Sequence, residues 1–148
     1  MEHMAANGTD NSIVQVDADT YAVAYRGKMG DGFITTFTIS SNGSSITEVA
    51  SYEYDTSDAY YNSLIQIDSD TYILAYSGPG DDGFITTFTI SANGSSITEV
   101  VELEHDTDKG RHNTLVQVDT DTYALAYEGH NSDGFIKTFS FQTDGTLS

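Results

Sequence analysis

The chain has 148 residues, of which 5 are Lys or Arg and 23 are Asp or Glu, giving a formal net charge of −18. Nucleic acids and anionic membrane surfaces reward clustered cations, so this balance argues against both as partners, and no apolar run approaches the ~20 residues of a membrane helix. Cysteine is absent, which excludes a disulfide framework and thiolate chemistry. The charge slightly favours an extracellular or saline environment, where salt screens carboxylate repulsion, and otherwise leaves the location open.

A period of 51 residues organises the whole sequence. Asn11, Asn62 and Asn113 occupy the same position in successive copies, and no insertion or deletion interrupts the spacing. A strict period near 50 residues is typical of repeat architectures, in which each copy is one supersecondary unit. We therefore predict one repeat domain over the whole chain, 1–148. Its copies are 11–61, 62–112 and 113–148.

Each copy carries four strand signals in the same order. In the second copy these are strand a at 63–67, strand b at 71–76, strand c at 83–91 and strand d at 97–104. Val, Ile, Thr, Tyr and Phe dominate with a period of 2, and polar turns such as Asn93-Gly94 separate the strands. No segment has the spacing of a helix, so the chain is predicted to be all-β.

The connections between the strands indicate a β-propeller. The a–b and c–d links are tight and the d–a link is the longest, as in a blade whose four-stranded meander is followed by a crossing to the next blade. Strand b places Tyr21, Val23 and Tyr25 on one face and Ala22 and Ala24 on the other, which suits a sheet packed between two sheets. We predict three four-stranded antiparallel blades per chain. The alternative is a β-trefoil, which also has three repeats of four strands in about 150 residues.

The repeated strand and turn pattern resembles a known type of blade. The runs SLIQIDSDTYILAYSG and DGFITTFTI are similar to blades of TolB-type, WD40-like β-propellers, which have a short strand, an Asp-containing turn, a hydrophobic-Ala-Tyr/Phe strand and a Gly-led third strand. The resemblance covers all three copies. The chain lacks the Trp-Ser-Pro-Asp-Gly turn usual in that family and has no Trp, so the resemblance implies a blade topology and no particular activity or partner.

The two ends of the sequence predict how the ring closes. The third copy stops at Ser148, before its strand d, while Glu2 and His3 align with Glu104 and His105 at the same period. Residues 1–10 are therefore predicted to complete a fourth strand. Three blades are too few for a ring, because propellers run from about four blades upward. We expect a homo-oligomer, most simply two chains making six blades; the alternative is that residues 1–4 are a cloning remnant and the match is chance.

Differences between the copies concentrate in the b–c loops and d–a links, which lie at one end of an antiparallel meander. A rigid scaffold that presents diverse loops on one face is a common design for binding sites, so we predict a glycan or protein ligand there. Drift in exposed loops is the alternative explanation. The predicted binding residues are Arg26, Lys28, Tyr60, Tyr61, Asp81, Lys109, Arg111, His112 and His130.

No motif in the sequence indicates catalysis or a cofactor. The paired aspartates, such as Asp17 and Asp19, supply fewer oxygens than the six to eight of a calcium site, and the four histidines do not share one repeat position. There is no Gly-x-Ser-x-Gly elbow. We therefore predict no catalytic residues, metal or cofactor. The leading hypothesis is a non-catalytic binding module; a purely structural repeat of a surface protein is second, and a glycoside-processing enzyme is third.

Overall fold

The computed structural model describes residues 8–142 and 147–148. Their strands form three antiparallel sheets, here called blades 1, 2 and 3, and in each blade neighbouring strands follow one another along the chain. Blade 1 contains β1 (Thr9–Gln15), β2 (Thr20–Arg26), β3 (Gly32–Ile39) and β4 (Ile46–Asp55). Blade 2 contains β5 (Tyr60–Gln66), β6 (Thr71–Ser77), β7 (Gly83–Ile90) and β8 (Ile97–Asp106). Blade 3 contains β9 (Arg111–Gln117), β10 (Thr122–Glu128) and β11 (Gly134–Ser140).

The predicted all-β, propeller-like fold is confirmed. Each copy makes its own meander, a topology that does not fit the β-trefoil alternative. The four strands of the second copy occur in the predicted order, and the main difference is that β5 begins at Tyr60, three residues before the predicted start at residue 63. Single 3-10 turns at Lys28–Gly30, Pro79–Asp81 and His130–Ser132 form the b–c loops.

Blade 3 differs from the other two blades because it has three strands within the described residues. The backbones of Ser140 and Ser148 exchange hydrogen bonds of 2.8 and 3.0 Å, at the place where a fourth strand starts in blades 1 and 2. Residues 1–7, most of the segment predicted to complete a fourth strand, lie outside the described residues. The end of that predicted segment is placed differently, because Thr9 and Asp10 open β1 instead.

The first strands of the three blades lie side by side at the centre of the arc. The backbone N–H of Leu64 in β5 donates to Ser12 Oγ of β1 at 2.9 Å. The N–H of Leu115 in β9 donates in the same way to Ser63 Oγ of β5 at 3.0 Å. Because β4 and β8 are the last strands of their meanders, they lie on the outside, as in the blades of a propeller.

The core lies between the blades, where the rear face of one blade packs against the front face of the next. At the first junction, Ala22 and Ala24 of blade 1 share a buried cluster with Tyr72 and Leu74 of blade 2. The second junction repeats this arrangement, with Ile73 and Ala75 of blade 2 against Tyr123, Leu125 and Tyr127 of blade 3. Burying a large side chain completely contributes roughly 1.5–3 kcal/mol. Each junction therefore joins the rear face of strand b in one blade, predicted to carry the small side chains, to the front face of strand b in the next blade, predicted to carry the large ones.

Candidate functional site

All nine predicted binding residues lie at one end of the blades, which we call the variable face. Arg26 ends β2, and Lys28, Asp81 and His130 lie in the b–c turns. The remaining five lie in a d–a link or at the start of a first strand. These are Tyr60, Tyr61, Lys109, Arg111 and His112.

A β-bulge recurs at the start of every first strand. Asp10, Tyr61 and His112 occupy the same repeat position and have φ values of 53°, 56° and 53°. In β5 the pairing shifts between Tyr60 and Ser63, so that two residues oppose one on β6. A positive φ costs a non-glycine residue roughly 1–2 kcal/mol. The fold thus holds three different polar or aromatic side chains in the same strained conformation at the centre of the variable face.

The three bulge residues form a continuous row across the blades, which we call the bulge row. The N–H of Tyr61 donates to Asp10 Oδ1 at 3.0 Å. On its other side, the Tyr61 ring lies 4.3 Å from the imidazole of His112, at an interplanar angle of 48°. The His112 side chain is 63% exposed, so this end of the row is open to solvent. Acidic, aromatic and basic side chains are therefore within reach of one small molecule.

Tyr60 and Arg26 flank the row on the side of blade 1. The guanidinium carbon of Arg26 lies 4.2 Å from the centre of the Tyr60 ring, a cation–π geometry. The rings of Tyr60 and Tyr61 are 6.1 Å apart. Arg26 Nε is buried without a hydrogen-bond partner among the described residues. Arg26 of blade 1 therefore holds the Tyr60 ring in place beside the bulge row.

The junction between blades 2 and 3 is held by ion pairs at the same face. The guanidinium of Arg111 contacts both carboxylate oxygens of Asp81, with Nε to Oδ1 at 3.0 Å. The hydrogen bond to Asp81 raises the pKa of Arg111. Lys109 Nζ lies 2.5 Å from Glu128 Oε1, and this lysine lowers the pKa of Glu128. Glu128 is shared, because His112 Nε2 is 3.6 Å from its other oxygen.

These contacts divide the predicted residues into two groups. Asp81, Lys109 and Arg111 bridge blades 2 and 3, and His130 Nδ1 contacts Asp108 Oδ2 of the d–a link. Lys28 is exposed and has no ion pair within the described part of the chain. Among the described residues, Tyr61 and His112 of the bulge row make no ion pair between blades, and they contact each other through their rings. Their part in binding stays a prediction.

Two residues of this face, Asp10 and Glu128, were not among the predicted binding residues. Asp10 precedes Tyr61 and His112 at the period of 51, and that spacing was the signal that could have found it. Glu128 corresponds to Arg26 and Ser77 of the other copies. Its position between Lys109 and His112 follows from the packing of blade 3 on blade 2, which no local pattern encodes.

Beneath this face the two blade junctions differ at one buried position. At the first junction, Tyr54 donates its hydroxyl to Asn62 Oδ1 at 2.7 Å. His105 replaces Tyr54 at the second junction, and the shorter ring leaves both of its nitrogens and Asn113 Oδ1 buried without hydrogen-bond partners in the described chain. Burial, assisted by Lys137, lowers the pKa of His105 to about 4. The imidazole is therefore neutral at physiological pH.

At the end of the blades opposite the variable face, aspartate and asparagine side chains accept backbone hydrogen bonds within the turns. Asp17 Oδ1 accepts the N–H of Ala18 at 2.7 Å, and Asn93 Oδ1 accepts the N–H of Ser95 at 3.1 Å. The described residues contain no group of three or more His, Asp or Glu side chains placed to hold a metal ion. No helix in the described ranges has the length and apolar character needed to cross a bilayer.

Comparison with known proteins identifies similar folds. No protein-family model and no curated protein matches the chain. A protein from Lactobacillus plantarum of solved structure matches with a TM-score of 0.69 and 15% identity, over 93% of this chain and 38% of that one. PpgL, a periplasmic gluconolactonase from Pseudomonas aeruginosa, matches with a TM-score of 0.64 and 16% identity, over 87% of this chain and 37% of that one.

At these identities the likeness shows the fold alone, and this chain spans less than two fifths of the length of either protein. It supports propeller-like blades and does not single out the TolB type among them. The conclusion from fold and comparisons together is therefore a chain of three successive propeller-like blades.

Proposed function

We propose that the chain is a non-catalytic repeat module, part of a closed propeller ring, that binds a sugar at the bulge row of the variable face. The observation that carries the proposal is the bulge at Asp10, Tyr61 and His112. The strained backbone recurs at one position in all three copies, while the side chain differs in each. Strain of this kind persists where the surrounding structure enforces it, and such positions cluster at binding sites.

The chemistry of the row suits a carbohydrate. An aromatic ring presents an apolar face to sugar C–H groups, and polar side chains around it bond to the hydroxyls. Tyr61 supplies the ring; its backbone N–H donates to Asp10 on one side, and the His112 imidazole lies 4.3 Å from the ring at a tilted angle on the other. A protein ligand would need a broader apolar surface than one tyrosine and one imidazole provide.

The ion pairs beside the row support a binding role because they make the scaffold rigid. Arg111 and Asp81 form a two-point contact, which orients both groups. Lys109 is held by Glu128 and by Ser132, 3.0 Å from its Nζ. A site whose surroundings are already ordered loses less entropy when a ligand binds. In this proposal Arg111 and Lys109 keep the variable face rigid, and the bulge row makes the contacts with the sugar.

A glycan array of the intact chain, Tyr61→Ala and Tyr61→Phe tests the proposal. We expect the wild-type chain to bind at least one glycan class and Tyr61→Ala to weaken that binding about tenfold, corresponding to about 1.4 kcal/mol. Tyr61→Phe is the matched control, since it keeps the ring and should retain most of the affinity. Binding that survives Tyr61→Ala would remove the row from the site. A blank array with folded protein would favour the purely structural repeat.

A second candidate is hydrolysis of a sugar lactone, favoured by the contact between His112 and Glu128. A histidine within 3.6 Å of a carboxylate is able to take a proton from water as the water attacks the lactone carbonyl; the ring C–O bond of the lactone then breaks, and its oxygen takes that proton from the imidazolium. PpgL is named as a gluconolactonase. Release of gluconic acid from gluconolactone by the wild-type chain, lost in His112→Asn, would support this candidate. No turnover above the buffer rate, or full turnover by His112→Asn, would contradict it.

A further inference from the structure

The three blades end in two apolar surfaces that match the surfaces already packed inside the molecule. Ile136 on the rear face of blade 3 is 76% exposed, whereas Ile34 and Ile85 at the same repeat position are 0% exposed. Ile13 on the front face of blade 1 is 63% exposed, whereas Leu64 and Leu115 are 5% and 7% exposed. Each outer face is therefore a copy of a surface that is buried at both internal junctions.

Polar contacts between blades show the same relation. At the first junction, Thr36 Oγ1 donates to the carbonyl oxygen of Gly94 in the c–d turn of blade 2, at 2.7 Å. Thr138, the counterpart of Thr36 in blade 3, is exposed. Around Gly43, the counterpart of Gly94 in blade 1, no described residue other than its chain neighbours has an atom within 4 Å of the place where a Cβ would lie. The counterpart of the donor Thr36 is therefore exposed on blade 3. The turn equivalent to the one that carries the acceptor is uncovered on blade 1.

Within the described residues no strand pairs with the outer edge of β11, which leaves room there for one more strand. In blades 1 and 2, a Cβ on Gly32 or Gly83 would meet the ring of Tyr54 or His105 from the fourth strand, at 2.5 and 2.4 Å. At Gly134 no atom of the described residues, its chain neighbours aside, lies within 4 Å of the equivalent place. The glycine that admits a fourth-strand ring is thus present in blade 3 as well.

We propose that a second copy of this chain docks the front face of its blade 1 on the rear face of blade 3, with its residues 2–8 added to β11 as the fourth strand. Residues 2–8 read EHMAANG and residues 104–110 read EHDTDKG, so Glu, His and Gly recur at equivalent places. Residues 104–110 lead directly from β8 into β9 at the internal junction. Residues 2–8 precede β1 in the sequence as residues 104–110 precede β9, so we expect both contacts of the proposal to form in a single docking geometry.

The docking, which rests on the proposed ring, also extends the binding row. A depression of about 480 Å³ lined by residues that include His112, Glu128 and Ile136 lies where the next blade would pack. Within one chain, the bulge residues of neighbouring blades touch, as Tyr61 touches Asp10 and His112. Asp10 of the second copy would then lie beside His112. The contact is head-to-tail, and two chains of three blades would make the smallest ring, of six.

The mass of the chain in solution, measured by light scattering, is the first test. We expect a whole multiple of the 16.0-kDa chain, most simply two. Ile136→Glu should reduce the mass to one chain, because the new carboxylate would be buried in the junction. Met29→Glu is the matched control, since Met29 is 81% exposed on a turn outside it. A one-chain wild-type mass, or an unchanged mass of Ile136→Glu, would overturn the docking.

A crosslink tests the added strand separately. Glu104 pairs with Phe84 in blade 2, so Glu2 of one copy should face Phe135 of the other at a distance that suits a disulfide. The chain has no cysteine, and a mixture of Glu2→Cys and Phe135→Cys chains should oxidise to a two-chain product. Glu2→Cys mixed with Met29→Cys should not. Equal products in both mixtures, or none in either, would overturn the strand addition. A single chain that still binds glycans would overturn this inference and leave the proposed function standing.

Discussion

A single residue change, Tyr54 in one copy to His105 in the next, separates two otherwise similar blade junctions. The Tyr54 hydroxyl lies 2.7 Å from Asn62 Oδ1 and donates a hydrogen bond to it. The shorter side chain of His105 leaves Asn113 Oδ1 buried and without a hydrogen-bond partner within the described chain. A buried polar atom without a partner costs roughly 1–3 kcal/mol. This polar mismatch therefore weakens the second junction relative to one with a tyrosine at residue 105.

His105→Tyr should strengthen that junction. Gly83 leaves space beside residue 105, as Gly32 does beside Tyr54, and the new hydroxyl would bond to Asn113. We expect the free energy of unfolding in urea to rise by about 1–2 kcal/mol. Tyr54→His, the reciprocal change at the first junction, should lower it by a similar amount. Destabilisation by His105→Tyr would show that the two junctions do not share one geometry.

The same variant should remove a pH dependence. Burial and the charge of Lys137 lower the pKa of His105 from 6.5 to about 4, although Asp106 opposes the shift. Between these values the unfolded chain binds a proton that the folded chain does not, so stability falls as the pH is lowered. We expect the wild type to lose about 2 kcal/mol between pH 7 and pH 5. His105→Tyr should lose much less, and an equal loss by the two proteins would contradict the assignment of this pH dependence to His105.

The bulged first strand is the element that connects the fold to the proposed site. Residue 112 has a φ of 53°, a conformation that asparagine tolerates and that β-branched residues strongly disfavour. His112→Val should therefore lower the free energy of unfolding by about 1–2 kcal/mol relative to His112→Asn. Thr114→Val is the control, because Thr114 lies on the same strand, exposed and past the bulge. Equal stabilities of His112→Val and His112→Asn would show that the bulge is not retained in solution.

The strands could be predicted from the sequence, and the bulges could not. Alternating Phe84, Thr86 and Phe88 against Ile85 and Thr87 is a local pattern, as are the Asn-Gly turns. A positive φ is usually marked by glycine, and at the bulges the residues are Asp, Tyr and His, which explains why β5 starts three residues earlier than predicted. The variable face could be predicted from the placement of its loops. Its ion pairs depend on how one blade turns against the next.

At the scale of the whole molecule, the charge of −18 opposes the proposed association of chains. Five cations cannot neutralise 23 acidic side chains, and at least three of them, Lys109, Arg111 and Lys137, already lie within ion-pair distance of carboxylates in the same chain. Docking a second copy doubles the charge of the particle. Repulsion between exposed charges falls steeply with salt, because the Debye length is about 14 Å at 0.05 M and about 4 Å at 0.5 M.

Salt should therefore favour the ring. Raising NaCl from about 0.05 M to about 0.5 M should shift the mass measured by light scattering toward the larger species and raise the midpoint of thermal unfolding. The bridging ion pairs are partly exposed, so each contributes modestly to stability and their screening should not reverse the trend. Ile136→Glu should remain a single chain at both concentrations and still gain some thermal stability. Dissociation of the wild type on adding salt would mean that specific ion pairs, rather than the apolar faces, hold the copies together.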